Sequence, residues 1–473
     1  MTELASFVDG KWVRGSGGAV PVWDPATAQQ LDELPLLAAA DLDQALAAAD
    51  AAFSPWRATS ALRRGEILRT AAGLVRERTE RIAVAIAREL GKPMREARVE
   101  VSTAAEHIEW AAEEGRRAYG RVIPARDPAV VATARVEPLG PIAGFAPWNA
   151  PIITPARKIA GALAAGCTIV LKPAEETPTA ALELARAFEE AGVPPGVLNV
   201  VFGAPAEVGA RLMGSPLTRG ATFTGSTPVG KLLLAQAAPT VTATTLELGG
   251  HAPVFVLPDA DPEAVADSAV TAAMRNSGQV CTSPSRFFVH ADLHERFVER
   301  FAAAADALRL GDPLDDVTDM GPVATPRRLD AMAELTEDAR AHVVAGGYRE
   351  DRPGWFWRPT LLAGVDDGVR AATVEPFGPL ALTTPYTDLD AALRSANRLG
   401  LGLAAYVWST DLTAVERLAN GLEAGAVAVN SWQVSLAETP FGGVGDSGVG
   451  YEGGVEGLRA FQRVKSVIVR STS

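Results

Sequence analysis

PIAGFAPWNAPIITPARKIAGALAAGCTIVLKPAEET, residues 141–177, is the stretch whose reading decides the fold. A short apolar run, Ile142–Ala146, gives way to a helical pattern over 151–165 that Gly166 stops. A second apolar run, Thr168–Leu171, ends on Lys172 and leads into a helix over 178–191, stopped by Gly192. The unit then repeats: Val197–Val201 with a helix over 205–213, and Ala221–Thr224 with a helix over 228–237. Strands alternating with helices make a parallel sheet with crossover helices. A second region of the same texture runs from about Gly250 to Ser435. Upstream the chain reads as helical. Asp41 is placed to cap a helix carrying Leu42, Ala45, Leu46 and Ala49 on one face. A second helix is expected over 61–90, punctuated by Gly91 and Pro93, and a third from Met94 to about Tyr119. Arg121–Arg135 reads as extended and exposed. Val464–Val469 alternates like an exposed strand that pairs across a subunit interface.

The bulk numbers bound the function. A chain of 473 residues suggests two or three domains with cores that need no covalent staples. A formal net charge of −13 leaves no electrostatic footprint for nucleic acid or an anionic membrane surface. Two cysteines, Cys167 and Cys281, make neither a disulfide framework nor a metal-binding pattern, and suit a reducing compartment. The opening MTELASFVDG lacks the basic and apolar regions of a signal peptide. The longest apolar run, Ile159–Leu171, is too short to span a bilayer. A soluble, cytoplasmic protein is expected.

Several segments suggest anion binding. Gly443-Val-Gly-Asp-Ser-Gly448 and Gly448-Val-Gly-Tyr-Glu-Gly453 match a dinucleotide string, but neither follows a strand and opens a helix, so both read as a glycine-rich loop. Gly225-Ser-Thr-Pro-Val-Gly-Lys231 does follow a strand and open a helix. Leu232 stands where a phosphate-hydrolysing loop needs Ser or Thr for magnesium. Ser226 and the free amides of that helix still suit a pyrophosphate, with a simple helix cap the equal alternative. Lys172 and Glu175 follow a strand at its carboxyl end, where ligands lie in open α/β sheets. Together they can share the hydroxyls of an adenosine ribose, and Glu175 would repel a 2′-phosphate, which favours NAD over NADP. A solvated loop pair is the plain alternative.

Gly278-Gln-Val-Cys281-Thr-Ser sets a thiol among small and polar residues, whereas Cys167 sits in Ala-Gly-Cys-Thr-Ile-Val and reads as structural. Oxidation of a carbonyl through a thiol requires a nucleophile, an oxyanion donor, a hydride acceptor and a base. Glu247 ends an apolar strand in Leu246-Glu-Leu-Gly-Gly250, a setting that raises a carboxyl toward the range of a general base. Asn149, at a strand-to-helix turn, carries an amide able to donate to an oxyanion. By itself it reads as a helix cap.

These motifs carry a resemblance. Pro147-Trp-Asn149, Lys172-Pro-Ala-Glu175, Phe223-Thr-Gly-Ser-Thr227, Glu247-Leu-Gly-Gly250, Gly278-Gln-Val-Cys281, Glu375-Pro-Phe-Gly-Pro379 and Pro440-Phe-Gly-Gly443 occur in the order of the aldehyde dehydrogenase superfamily, from about residue 7 to residue 465. The resemblance implies that Cys281 is the nucleophile, Glu247 the base for the deacylating water, and Asn149 with the Cys281 amide the oxyanion hole. It links Lys158 to proton relay. It implies NAD contacts at Trp148, Lys172, Glu175, Phe223, Gly225, Ser226, Gly230, Leu248, Gly249, Glu375 and Phe377, and no metal. The implied fold is α/β. It has a Rossmann-like nucleotide-binding domain (1–119 and 139–248), a catalytic domain (249–440) and a small β oligomerisation arm (120–138 and 455–473). A homodimer or homotetramer follows from that arm.

Within the superfamily the sequence is most similar to the succinate-semialdehyde dehydrogenase-like branch, through Thr154-Pro-Ala-Arg157-Lys158, Met274-Arg-Asn-Ser-Gly278 and Glu438-Thr-Pro-Phe-Gly-Gly443. Arg157 is two helical turns beyond Asn149 and Arg275 is six residues before Cys281. Two guanidiniums in a pocket would grip a carboxylate. Ser435 lies near a third carboxylate contact of that branch. Ala150 after Asn149 replaces the branch's aromatic, as in relatives for aromatic aldehydes. Trp432 is a bulky residue in a segment that lines the substrate tunnel. Three other classes stand beside this reading: a thiol hydrolase using Cys281 with His251, a nucleotide hydrolase using Lys231, and a non-catalytic member of the fold, which would have lost Cys281 or Glu247; a metal site at His290 and His294 is a further alternative.

Overall fold

The computed structural model describes residues 3–471. Residues 1–2 and 472–473, at the outer ends of the expected nucleotide-binding domain and arm, lie outside the described residues. The chain opens with two hairpins, β1 (Ser6–Val8) with β2 (Lys11–Val13), and β3 (Ala19–Asp24) with β4 (Gln29–Pro35). The expectation of a helical first third omitted them. Asp9-Gly10 is the turn of the first hairpin, with φ of 50° and 71°, which is a strong hairpin signal between strands of only three residues.

Helices α1 (Ala39–Ala58), α2 (Ala61–Glu77), α3 (Thr79–Leu90) and α4 (Met94–Glu114) follow. Two expectations are corrected here. Asp41 is not the cap of α1: it lies in the first turn, and its carboxylate accepts from the Ala38 amide at 3.0 Å. The helix expected over 61–90 is two helices, broken at Arg78. Gly91 does end the second of them in a left-handed conformation.

The arm strands β5 (Arg121–Ile123) and β6 (Val130–Pro138) come next. The parallel alternation then appears as read: β7 (Pro141–Phe145), α5 (Ile153–Ala165), β8 (Thr168–Lys172), α6 (Pro178–Glu190), β9 (Leu198–Val200), α7 (Pro205–Gly214), β10 (Gly220–Thr224), α8 (Thr227–Ala237) and β11 (Ala243–Glu247). The second region holds β12 (Ala252–Val256), α9 (Pro262–Met274), β13 (Pro284–His290), α10 (Ala291–Asp306), α11 (Pro326–Asp338), β14 (Val343–Ala345), β15 (Thr360–Leu362), β16 (Leu380–Tyr386), α12 (Leu389–Asn397), β17 (Leu401–Gly402), β18 (Ala404–Trp408), α13 (Leu412–Gly421) and β19 (Ala426–Val429). The chain ends through β20 (Val444–Gly445), β21 (Gly448–Val449), α14 (Gly454–Arg459) and β22 (Gln462–Arg470).

The first sheet has eight strands in the order β2-β1-β9-β8-β7-β10-β11-β21. Its five central strands are parallel. Helices α2 to α6 pack one apolar core, and α1, α7 and α8 contribute to the core on the other face. The second sheet orders as β14-β15-β16-β13-β12-β18-β19, parallel except at β14. The third is the antiparallel set β22-β6-β5. The late strand therefore pairs within its own chain, in an unbroken nine-residue register from Gln462 opposite Pro138 to Arg470 opposite Val130.

Two consequences position a site. The first sheet reverses strand order at β7, whose neighbours are β8 and β10, so the loops after β7 and β10 diverge and leave a crevice at their carboxyl ends. The glycine-rich tail runs back across the second half of that sheet, with β21 pairing antiparallel to β11 beside Glu247.

Candidate active site

The segment between α9 and β13 is built to hold Cys281 rigidly. Asn276, Ser277 and Gly278 take positive φ values of 50°, 54° and 70°, a strained run for the two non-glycine residues. The surroundings enforce it. The Asn276 amide donates to Glu96 at 2.8 Å, and the Ser277 hydroxyl donates to the Gly321 carbonyl at 2.8 Å. Buried Gln279 donates to the Asn276 carbonyl at 2.9 Å and accepts from the Ala324 amide at 2.8 Å. Gly278 has no alternative: a Cβ there would lie 2.0 Å from the Gly378 carbonyl oxygen. The thiol that follows is half-buried. Burial first, then the nearby carboxyls of Glu375 and Glu247, push its pKa up to about 12, against the opposing pull of Arg157 and Arg275.

Asn149 and Glu247 both lie at the carboxyl edge of the first sheet, one after β7 and the other at the end of β11. Asn149 is buried, and its side-chain amide donates one hydrogen to the Gln279 carbonyl at 2.9 Å. The accepting carbonyl lies two residues before Cys281. Glu247 closes β11, is 2 % exposed, and neither carboxyl oxygen has a hydrogen-bond partner among the described residues. Burial, and next the Glu452 carboxyl, hold its pKa well above the usual carboxylate range. A buried carboxyl without partners is rare in a folded core and points to a chemical task.

Lys158, fully buried on α5, pairs with Glu452 and donates to the Thr222 hydroxyl at 2.9 Å; that hydroxyl in turn donates to Glu452 at 3.0 Å. Glu452 went unrecognised in the sequence because it lies in the run read only as a glycine-rich loop. Lys158 was the available signal: a lysine on an apolar helix stretch requires a buried counter-charge.

Arg157, the neighbour of Lys158, faces the other way. Its guanidinium donates through Nε to His107 at 3.1 Å and through Nη2 to the Ser435 hydroxyl at 2.6 Å, and lies 5.0 Å over the Phe441 ring. Burial and the Arg157 charge force the His107 imidazole down to about 2, so it is a neutral acceptor. Arg157 and Ser435 are thus brought together. Arg275 is exposed at the start of the nucleophile loop. Trp432 packs with Tyr406 and Trp408 at ring-centroid distances of 5.3 and 4.9 Å. The Tyr406 hydroxyl donates to the Thr282 carbonyl at 2.7 Å, so this aromatic cluster backs the nucleophile loop.

The crevice at the sheet reversal collects the remaining residues. Lys172 and Glu175 form an ion pair of 2.6 Å beyond β8. Ser226 caps α8 through its backbone, and its hydroxyl makes no capping bond, leaving the first-turn amides of that helix free. Trp148 and Phe377 meet edge to face at 5.5 Å. Phe223 lines β10 below Gly225, and Leu248 packs over Gly230. Glu375 accepts from the Gly250 amide at 3.1 Å and sits close to Gly249, where a Cβ would lie 2.4 Å from its carboxylate and push it aside. Burial raises the Glu375 carboxyl to about 7. Free amides at the start of α8, a hydroxyl that makes no capping bond and the carboxyls of Glu175 and Glu375 fit an extended dinucleotide.

The competing chemistries lose their residues. Both ring nitrogens of His251 are engaged, with Ser285 at 2.7 Å and the Ala371 carbonyl at 2.9 Å, and burial drives it down to about 3. Lys231 is an exposed partner of Asp446 at 2.8 Å. His290 caps α10 and His294 bonds Thr383 at 2.9 Å, and no group of three metal-ligating side chains occurs among the described residues. Cys167 is buried, bonded to the Phe461 carbonyl at 3.2 Å and raised by burial to about 11.

Comparison with known proteins agrees with this geometry. The family model "Aldehyde dehydrogenase family" matches residues 12–467. A putative 4-(hydroxymethyl)benzenesulfonate dehydrogenase of Comamonas testosteroni is 44% identical, over 97% of this chain and 96% of its own length. The NADP(+) succinate-semialdehyde dehydrogenase of Escherichia coli is 38% identical, over 98% of this chain and 97% of its own. The crystal structure of succinate-semialdehyde dehydrogenase from Burkholderia pseudomallei superposes with a TM-score of 0.97 at 40% identity, over 99% of this chain and 98% of that one. The chain belongs to the aldehyde dehydrogenase family.

Proposed function

We propose that the protein oxidises an aldehyde bearing a second, anionic group to its carboxylic acid, with NAD as the hydride acceptor. The observation that carries this reading is Arg157. Its guanidinium is largely withdrawn from water, and its direct contacts are neutral: an imidazole, a hydroxyl and an aromatic ring, with the carboxyls of Glu452 and Glu247 acting on it only from a distance. It forms no ion pair among the described residues. A buried guanidinium with no carboxylate in contact has donors to offer an anion. Arg275, exposed at the same loop, supplements that field.

The chemistry follows from the site. Cys281, as thiolate, adds to the carbonyl carbon, and the developing oxyanion receives the Asn149 amide and the Cys281 backbone N–H. A bound NAD supplies the acceptor for the hydride that leaves this carbon. The adduct becomes a thioester on Cys281. Glu247, kept basic by its desolvated setting, takes a proton from the attacking water, and the acid leaves with the thiol restored. Lys158 and Glu452 lie behind Glu247 as the route for that proton. Glu175 supports NAD because its carboxylate would repel a 2′-phosphate. The exposed arm, with β22 at its edge, supports self-association.

The anion can sit at the end of a short aliphatic chain or on an aromatic ring. The similarity to an enzyme named for a benzenesulfonate substrate favours testing both. The panel is succinic semialdehyde, glutaric semialdehyde and 4-formylbenzenesulfonate against benzaldehyde and hexanal, each with NAD and NADP. Removing a charge-assisted bond by Arg157→Met should lower kcat/KM for the anionic members by about 10–100-fold and the neutral ones by less than about 3-fold. Neutral aldehydes preferred by the unmodified enzyme, with an order that Arg157→Met leaves unchanged, would overturn the reading.

A further inference from the structure

We infer that the buried ion pair Lys92–Glu100 is a clamp that positions the Asn149 amide for the oxyanion, and so acts on thioester formation from outside the site. The inference rests on the oxyanion reading of Asn149. Neither residue was singled out by the chemistry above, and both are less than 10 % exposed: Lys92 at 7 % and Glu100 at 8 %. Burying an ion pair for stability alone gives little net gain. This pair does more than neutralise itself. Lys92 binds one Glu100 carboxyl oxygen and donates a second hydrogen bond to the Asn149 carbonyl at 3.1 Å. The other Glu100 oxygen accepts from the amides of Ile152 at 3.2 Å and Ile153 at 3.4 Å, the first turn of α5.

Both ends of the 149–153 turn are thereby tied to α4. The same Asn149 carbonyl takes a second donor, the Asn276 side-chain amide, at 3.1 Å. Asn276 is itself held from α4 by Glu96 at 2.8 Å. One helix therefore fixes the oxyanion donor and the nucleophile loop relative to each other. Lys92, in the loop that enters α4, and Glu96 and Glu100, four residues apart on α4, anchor these links. Preorganised donors stabilise an oxyanion only where their position is fixed, and a misplacement of about 1 Å can cost about 100-fold in rate.

The test is a double-mutant cycle on the pre-steady-state burst of NADH formation, with thermal unfolding and aldehyde KM measured alongside. Lys92→Met combined with Glu100→Gln removes the ion pair without leaving a buried charge, and Glu100→Gln by itself is the milder variant that keeps an acceptor for α5. Asn149→Ala should slow the burst about 100–1000-fold. The paired variant should slow it about 10–100-fold in the native background, with aldehyde KM nearly unchanged, but less than about 3-fold when Asn149 is already alanine. Lys92→Arg should restore most of the burst. A paired variant with a normal burst, or with the same loss in both backgrounds, overturns the clamp and leaves the oxyanion reading intact. A normal burst in Asn149→Ala overturns both.

Discussion

At the scale of single residues, the site is a set of groups held away from their ordinary ionisation. Cys281 is the sharpest case, with its thiol pushed up to about 12 by burial and by two carboxyls. Below that value the reactive thiolate fraction rises tenfold per pH unit. Alkylation of Cys281 by iodoacetamide in the cofactor-free enzyme should therefore climb about tenfold per unit from pH 7 to 9 without levelling. A plateau near pH 7 would mean an activated thiolate is already present. Glu247 and Asn149 were legible because each ends or follows an apolar strand, where side chains emerge at the carboxyl edge, and Cys281 because its neighbours between α9 and β13 are small and polar. Glu452 was hidden because its partner is 294 residues away, and nothing local in Gly-Tyr-Glu-Gly distinguishes a buried carboxylate from a loop acid. The links made by Lys92 and Glu100 were equally invisible, since Glu100 sits in a helix of ordinary charged texture and Lys92 in the short loop before it.

At the scale of elements, the parallel alternation could be read because five-residue apolar strands between helices have no other economical burial. The short N-terminal strands could not, since three residues carry too little periodicity, although Asp9-Gly10 gave a turn signal. The break between α2 and α3 at Arg78 was missed for a similar reason: one non-helical residue barely disturbs the apolar spacing. The loop carrying Glu375 has a measurable signature. Its carboxyl is raised to about 7 by burial, above the ordinary 4.5 of an unfolded chain. The folded state then holds this proton more tightly, so the group's contribution is full below pH 4.5 and is lost as pH rises through 7. Glu375→Gln keeps an acceptor for Gly250 and abolishes the titration. In the absence of NAD, the variant should match the native protein near pH 4.5 and melt on the order of 2 °C higher at pH 8. A difference that does not change with pH would contradict this.

At the scale of the whole molecule, the arm is the feature with least internal support. Val464 and Ile468 on β22 are 71 % and 69 % exposed, and Val122 on β5 is 76 % exposed. A three-stranded sheet with apolar faces and an open edge strand invites a partner. Val464→Asp with Ile468→Asp should convert the assembly to monomers in multi-angle light scattering, while leaving the nine-residue pairing of β22 with β6 in place. An unchanged oligomer would place the interface elsewhere. The sequence reading had the late strand as extended and exposed, but assigned its pairing across subunits; its register with β6 inside the chain depends on tertiary geometry that spacing alone does not carry.

The return of the tail to the middle of the chain also governs when the enzyme can exist. Glu452 completes the buried pair with Lys158, β21 completes the sheet beside Glu247, and β22 closes onto β6. All three arrive within the final part of the polypeptide. A chain folded without Glu452 in place would hold Lys158 as an uncompensated charge in its core. The tail thus acts as a latch whose loss would be felt at a lysine nearly three hundred residues upstream.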